Sequence, residues 1–372
     1  MMPRNLQRGV TLVELMISIL IAVLLGIGLV SLFAQNKRSY YQNEEIARMQ
    51  DNGRYAVEQL GRDLSMAGYL GQFAGGDWSI PAAANLPAGL TCGAGVNVYD
   101  DLSVDPGNPV DWLFAVWPRS GLSDGFSPED AAIAVDDNSA GAGKLFGCVP
   151  VPSYAPDSDV VSIKRVIGTP LTPGDLPAGD RVYVGRRGAD AFMARGSAMP
   201  AYSDPPVSPL DRANPAADQV TERDYLYSPR IYYVREVDLP DDDLDPFPRL
   251  CRRVLAAGPA LAEECIAEGV ENFQIQFGLD LTGDGTANAY VSGLESTPAA
   301  GGPPESALVV SARITVLVRS LRKDPTYVND KVYDLGDPGL GTLGPFNDNF
   351  YRRVFSSTVM VRNVRNLERL GF

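Results

Sequence analysis

Arg8-Gly9-Val10-Thr11-Leu12-Val13-Glu14 is the stretch on which the reading of this chain turns. A short basic leader with Arg4 and Arg8 precedes it, and Leu15 to Ala34 follows as twenty residues without a charge. At ~1.5 Å per residue, such a run crosses a ~30 Å hydrocarbon core as a helix. A secretory signal peptide carries its cleavage site behind the apolar stretch, after small residues. Here the glycine lies in front. Cleavage after Gly9 keeps the membrane segment on the mature chain and makes Val10 the new amino terminus, with Glu14 the fifth residue from it.

Glu14 is the one charge in the mouth of the apolar run. A carboxylate costs ~2.5–3.5 kcal/mol at the centre of a membrane helix, so an acid there marks function by default. The alternative is an ordinary signal anchor that happens to carry a glutamate. Arg4 and Arg8 make the leader the cytoplasmic end under the positive-inside tendency, and everything past about Gln35 is expected to be exported. Tyr40-Tyr41 then falls where interfacial aromatics collect.

The basic leader, Gly9, Thr11-Leu12-Val13-Glu14 and the unbroken apolar run together resemble the processing site of type IV prepilins and type II secretion pseudopilins. The resemblance implies cleavage between Gly9 and Val10 by a prepilin peptidase and N-methylation of Val10. It also implies pairing of Glu14 with the N-terminal ammonium of a neighbouring subunit during assembly.

Composition narrows the alternatives. The net charge of −14 argues against nucleic acid, whose phosphates demand a basic face. Histidine is absent, which removes the Ser-His-Asp and Cys-His nucleophilic sites and the commonest transition-metal ligand. No catalytic residue is identified. The four cysteines, Cys92, Cys148, Cys251 and Cys265, have no CxxC spacing, so in an exported chain they read as two disulfides rather than a zinc site. Cys251 and Cys265 flank a segment with Gly258 and Pro259 that reads as a loop between strands, which leaves Cys92 for Cys148; other connectivities stay open, as do buried free thiols.

No proline lies between Pro3 and Pro81. Ile46, Met49, Ala56, Val57, Leu60 and Leu64 recur at three- and four-residue steps among Glu44, Arg48, Asp51, Arg54, Glu58 and Arg62, which predicts an amphipathic helix continuing out of the membrane. Residues 10–66 then form a rod of ~85 Å, broken by Gly68 and Gly71. Beyond it, residues 72–157 and 168–230 are rich in Gly, Pro, Ala, Asp and Ser, with short strands such as Asp111–Trp117 and Arg181–Gly185. Stronger strand signals lie at Asp159–Ile167, Arg230–Val237, Leu250–Leu255, Val270–Gly278, Leu308–Ser320 and Tyr351–Asn363. The last two alternate apolar and polar residues, as in a half-buried antiparallel sheet.

Asp63-Leu64-Ser65-Met66-Ala67-Gly68-Tyr69 and the two C-terminal strands, ending near Arg362-Asn363, resemble PilW-like type IV pilus minor pilins. The resemblance covers both ends and residues 230–285 but not the loop-rich middle. Many members follow Gly71 with a cysteine. This chain has Gln72, so the family's disulfide pairing is not carried over.

Asp280, Thr282, Asp284 and Gly285 match the start of a calcium loop, yet its twelfth position is Val291 where a bidentate glutamate belongs. A polar turn between strands is the favoured reading, with calcium the minority one and no other cofactor expected. The acidic run 238–245 reads as a solvated loop.

These readings divide the chain into a leader (1–9), a transmembrane helix (10–34), an amphipathic helix (35–70), a loop-rich α/β region (71–230) and a C-terminal antiparallel sheet region (231–372). The resemblance implies an α+β, type IV pilin-like fold, with the long N-terminal helix packed on an antiparallel sheet and long loop-rich insertions. It implies a minor pilin that initiates pilus assembly and sits in the tip complex, without catalysis. Its partners would be other minor pilins, the major pilin, a tip adhesin, the prepilin peptidase and the inner membrane, the head being periplasmic before assembly. A minor pseudopilin of type II secretion and a membrane-anchored binding or adhesion module are the alternatives.

Overall fold

The structure is a computed structural model. It describes residues 11–71 apart from 68 and 70, the short strands 78–79 and 115–117, and residues 155–200 apart from 156–157, 164, 172–174, 176 and 188–189. It further describes residues 223–235, residues 247–292 apart from 259–260, and residues 308–361 apart from 338–339. The chain divides into two compact units, residues 1–48 and residues 49–372.

One helix, α1 (Leu12–Ser65), runs without a break for 54 residues. Without proline, nothing removes a hydrogen bond from its ladder. From Leu15 to Ala34 it is apolar on every side and exposed, and it is long and apolar enough to cross a membrane. In the second unit its character changes. Met49, Ala56, Leu60 and Leu64 are buried at steps of seven, four and four, which keeps them on one face. Burying Leu60 and Leu64 completely contributes ~1.5–3 kcal/mol each.

Fifteen strands follow: β1 (Trp78–Ser79), β2 (Ala115–Trp117), β3 (Val160–Ile163), β4 (Val182–Arg187), β5 (Asp190–Arg195), β6 (Asp224–Leu226), β7 (Arg230–Arg235), β8 (Arg249–Leu255), β9 (Leu261–Glu268), β10 (Val270–Asp280), β11 (Ala289–Val291), β12 (Leu308–Arg319), β13 (Tyr333–Asp334), β14 (Thr342–Leu343) and β15 (Arg352–Met360). They form sheets of order β11-β10-β12-β15, β2-β3-β7-β8-β9 and β1-β5-β4-β6, plus the β13-β14 pair. All named pairings are antiparallel except β1 with β5. This is the α+β, type IV pilin-like arrangement of a long apolar N-terminal helix followed by antiparallel sheets.

The sheet β11-β10-β12-β15 carries the helix. Phe273, Ile275 and Phe277 on β10 lie opposite Val316, Ile314 and Ala312 on β12, which in turn lie opposite Phe355, Ser357 and Val359 on β15. These form the face on which α1 packs. A Cβ at Gly53 would overlap the Phe355 ring, and one at Gly61 would sit 2.9 Å from Val359 Cγ1. The two glycines let helix and sheet approach closely. Asn52 Nδ2 adds a bond to the Glu268 carbonyl at 3.0 Å.

β11 covers only residues 277–279 of β10. Further along that edge, Asp159 stands in for a strand: its N–H donates to Phe273 O at 3.0 Å and its Oδ2 accepts from Ile275 N–H at 2.8 Å. Between β12 and β15 the chain makes an excursion pinned by Arg352, whose guanidinium donates to Glu271 (2.6 and 2.9 Å) and to Asp348 (2.6 and 2.7 Å). Leu317, Tyr333 and Leu335 bury beneath it.

Two expectations change. The boundary drawn between 230 and 231 falls inside β7, whose sheet takes strands from both sides of it. Residues 261–268 form a strand rather than part of a loop, so Cys251 and Cys265 lie directly opposite each other on β8 and β9.

Candidate functional site

The start of α1 is built as a capping box. Thr11 donates from its backbone N–H (2.9 Å) and its hydroxyl (2.8 Å) to Glu14 Oε2, and the Glu14 N–H returns a longer bond to Thr11 Oγ1 at 3.4 Å. Ser/Thr-x-x-Glu at a helix entry satisfies two orphan donors reciprocally, and the N-terminal end of the helix dipole favours a carboxylate. Ser18 Oγ donates to the Glu14 carbonyl at 2.7 Å. Both Thr11 and Glu14 are exposed. Sequence reasoning treated Glu14 as a lone acid and passed over Thr11, although the Thr-Leu-Val-Glu spacing carried the signal. Gly9 and Val10 lie outside the described residues.

At the opposite end of α1 a second carboxylate is treated in the opposite way. Asp63 is 1 % exposed and sits between Arg165 (3.0 Å) and Arg230 (2.7 Å), and it accepts the Tyr232 hydroxyl as well. An acid in the last turn of a helix faces the unfavourable end of the dipole, and the two guanidinium groups offset that. Burial, together with Asp63, pushes the Tyr232 phenol up to about 12. Arg252 extends the chain of contacts to Tyr232 (3.3 Å) and Glu264 (2.8 Å). This cluster fixes the helix to β7 and β8. No local pattern marks it, because the partners stand more than a hundred residues away in the chain.

On the same sheet Cys251 and Cys265 are joined by a disulfide. Glu263, beside them, accepts Arg235 Nη1 at 2.6 Å and the Tyr233 hydroxyl, and burial with that bond raises the Tyr233 phenol further than its neighbour. Cys92 and Cys148 lie outside the described residues, as does the acidic run 238–245.

Asp280, Thr282 and Asp284 come together in the tight connection from β10 to β11. The Asp280 carboxylate accepts the N–H groups of Thr282 (2.9 Å), Gly283 (2.7 Å) and Gly285. Burial raises this carboxyl, but those three N–H groups and the Thr282 hydroxyl outweigh it and hold it below the usual range. Asn288 Oδ1 accepts Leu281 N–H at 2.8 Å, and Asp284 Oδ1 accepts Thr286 N–H at 2.7 Å. Gly283 and Gly285 have φ of 79° and 82°, the left-handed region that glycine enters without strain. The loop's oxygens are thus turned onto its own backbone donors.

The comparisons with known proteins bear on the two ends of the chain. Residues 231–363 match the family model of type IV pilus-assembly protein W (PilW), and residues 4–30 match that of the prokaryotic N-terminal methylation motif. No curated protein and no solved structure matches the chain. The pilin families matched are structural rather than catalytic. The PilW match takes in β10, β12, β15 and all but the first residue of β7, and the methylation motif leads into the apolar start of α1. Both matches are consistent with a PilW-like, type IV pilus-related pilin whose N-terminal helix is long and apolar enough to cross a membrane.

Proposed function

We propose that this chain is a minor pilin that takes part in initiating pilus assembly and in the tip complex, with no catalysis of its own. The observation that carries this reading is Glu14, held by Thr11 in the first turn of a helix that is otherwise uncharged as far as Asn36. In the proposed sequence of events, prepilin peptidase cuts between Gly9 and Val10, and Val10 is methylated. The protein then waits as a single-pass inner-membrane protein with its head in the periplasm.

Among the described residues the Glu14 carboxylate has one partner, the uncharged Thr11. The Thr11 bonds are already charge-assisted through the carboxylate; a neighbour's terminal ammonium adds a full opposite charge, an attraction that grows as the surroundings become less polar. The capping box holds the carboxylate at the helix entrance until that ammonium arrives. The membrane half then leaves lipid for a bundle of similar helices. The long, decorated head favours an end position over a repeating one, with other minor pilins, the major pilin and a tip adhesin as neighbours. The 280–288 loop is taken as a hairpin turn, so adding calcium should leave the melting temperature unchanged.

The test is in the native host. In sheared pili the mature terminus should be methylated Val10, and immunogold label should mark one fibre end. Glu14→Ala should remain in the membrane but be depleted from pili. An intact leader in assembled fibres, label along their length, or wild-type incorporation of Glu14→Ala would overturn the corresponding step.

A further inference from the structure

An unpaired strand edge presents a row of N–H and C=O groups that another strand can satisfy, and proteins guard such edges with short strands, charges, proline or bulges. Most edge strands described here are guarded. β1, β2, β6 and β11 are two or three residues long. β9 has eight residues but carries Glu263, Glu264 and Glu268. β15 is different: it is nine residues long, ends its sheet, pairs with β12 without a register shift and is uncharged from Val354 to Met360. It contains no proline.

The ladder shows which groups have no strand partner among the described residues. Val361 N–H donates to Val310 O at 3.0 Å and Ser320 N–H to Tyr351 O at 2.8 Å, so odd-numbered residues of β15 turn their amides toward β12. Val354, Ser356, Thr358 and Met360 turn theirs outward. Beside that edge runs a groove of about 620 Å³ between α1 (Arg54, Val57, Gly61) and β15 (Phe355, Val359, Met360). Its floor is apolar, and Met360 is 57 % exposed. Its rim carries Arg54, Glu58 and Arg62; Glu58 pairs with Arg62 at 2.9 Å, while Arg54 has no carboxylate partner among the described residues, which leaves the rim one positive charge in excess.

We infer that β15 is a docking edge for an extended segment of a different protein chain, one with apolar residues at alternate positions and at least one carboxylate. Added as a further strand, the segment would satisfy the four outward residues and drop its alternate side chains into the groove, with its acid meeting Arg54. A second copy of this chain fits less well, because pairing through its own β15 sets the rim's excess positive charge against itself. The inference rests on the head alone and goes beyond the proposed role at the pilus tip.

The test uses the purified full chain in detergent and a synthetic peptide with valine at alternate positions and two aspartates. The peptide should bind at least about tenfold more tightly than a version with lysine for aspartate, as expected when opposite charges meet at a partly buried rim. It should also slow amide exchange at Ser356 and Thr358. Thr358→Pro removes one outward N–H while leaving the bonds to β12 in place, which an edge strand tolerates. It should keep the wild-type melting temperature and lose the peptide. Should Thr358→Pro fail to fold, Arg54→Glu provides an independent reading, since it should reverse the preference from aspartate to lysine. Equal binding to wild type and a folded Thr358→Pro, indifference to Arg54→Glu, or no binding of either peptide at millimolar concentration would overturn the inference. So would self-association of the chain that Thr358→Pro abolishes, since a second copy would then be the occupant.

Discussion

The two parts of α1 solve the same problem, keeping a long helix in place, by different physics. The part in residues 12–34 is specified by composition: leucine, isoleucine and valine on all sides and one acid, Glu14, exposed and capping its own helix. The part in residues 49–65 is specified by fit: two glycines pressed on β15 and one buried acid, Asp63, between two arginines. A surface meant to meet lipid and then other helices needs no single partner. A surface fused to its own head does, and its charge is already committed.

The sharpest way to break that contrast is to remove each acid in turn. Asp63→Ala leaves Arg165 and Arg230 buried without their counter-charge, and losing one member of such a cluster costs about 3–5 kcal/mol. Glu14→Ala removes an exposed cap far along the chain from the head and should leave the head's unfolding midpoint unchanged. Denaturant unfolding of the full chain in detergent, followed by near-ultraviolet circular dichroism, reads the head alone. Equal effects would mean that the two parts are not independently specified.

The disulfide comes next in size. Closing a fourteen-residue separation contributes about 3 kcal/mol on the chain-entropy model. Replacing Cys251 and Cys265 together by alanine should therefore lower the head's transition, while far-ultraviolet helix signal from the membrane part persists. Loss of both signals in one step would show coupling that the contrast denies.

Smaller still is the glycine pair. Gly53→Leu forces a side chain into the Phe355 ring and should cost about 1–3 kcal/mol by overpacking, whereas Gly26, with nothing within 4 Å of an added Cβ, should accept leucine within about 0.5 kcal/mol. The same melt checks both. A neutral Gly53→Leu would mean that the sheet yields where it is drawn rigid.

Residue type explains what the sequence could and could not say. The absence of proline and the stepped apolar residues marked α1 nearly to its ends, 10–66 against Leu12–Ser65. Valine- and isoleucine-rich runs marked β7, β10, β12 and β15, whose packing those side chains favour. Strands β5 and β9 escaped notice because their sequences, Asp-Ala-Phe-Met-Ala-Arg and Leu-Ala-Glu-Glu-Cys-Ile-Ala-Glu, are poor in β-formers and owe their state to neighbours already in the sheet. A helical glycine such as Gly53 says nothing until Phe355 is seen above it. Asp63 is similar: its position beside Leu60 and Leu64 placed it on the buried face, but its partners are known only from the fold. Thr11 could have been read from four letters.

The smallest effect is a pH dependence of opposite sign at two carboxylates of the head. Burial, together with the nearby Asp337, raises Asp159 well above its ordinary 3.8 against the pull of the Ile275 N–H, and its Oδ1 has no hydrogen-bond partner among the described residues. A group raised on folding gives stability that is fully present below its unfolded value and lost as pH rises through its folded one. Asp280 is depressed, so its contribution is present above about pH 4 and lost as pH falls through its folded value. Stability of the head should therefore pass through a maximum at mildly acidic pH. Asp159→Asn keeps an acceptor for the Ile275 N–H and removes the charge, so it should stabilise the head at pH 7 and make no difference near pH 3. Asp280→Asn should do the reverse, weakening the head at pH 7 and leaving it unchanged at the acid end. Glu14→Ala should move neither limb. If it did, the exposed acid of the membrane part would be coupled to the head, and the separation of the two parts of α1 would fail at its most sensitive point.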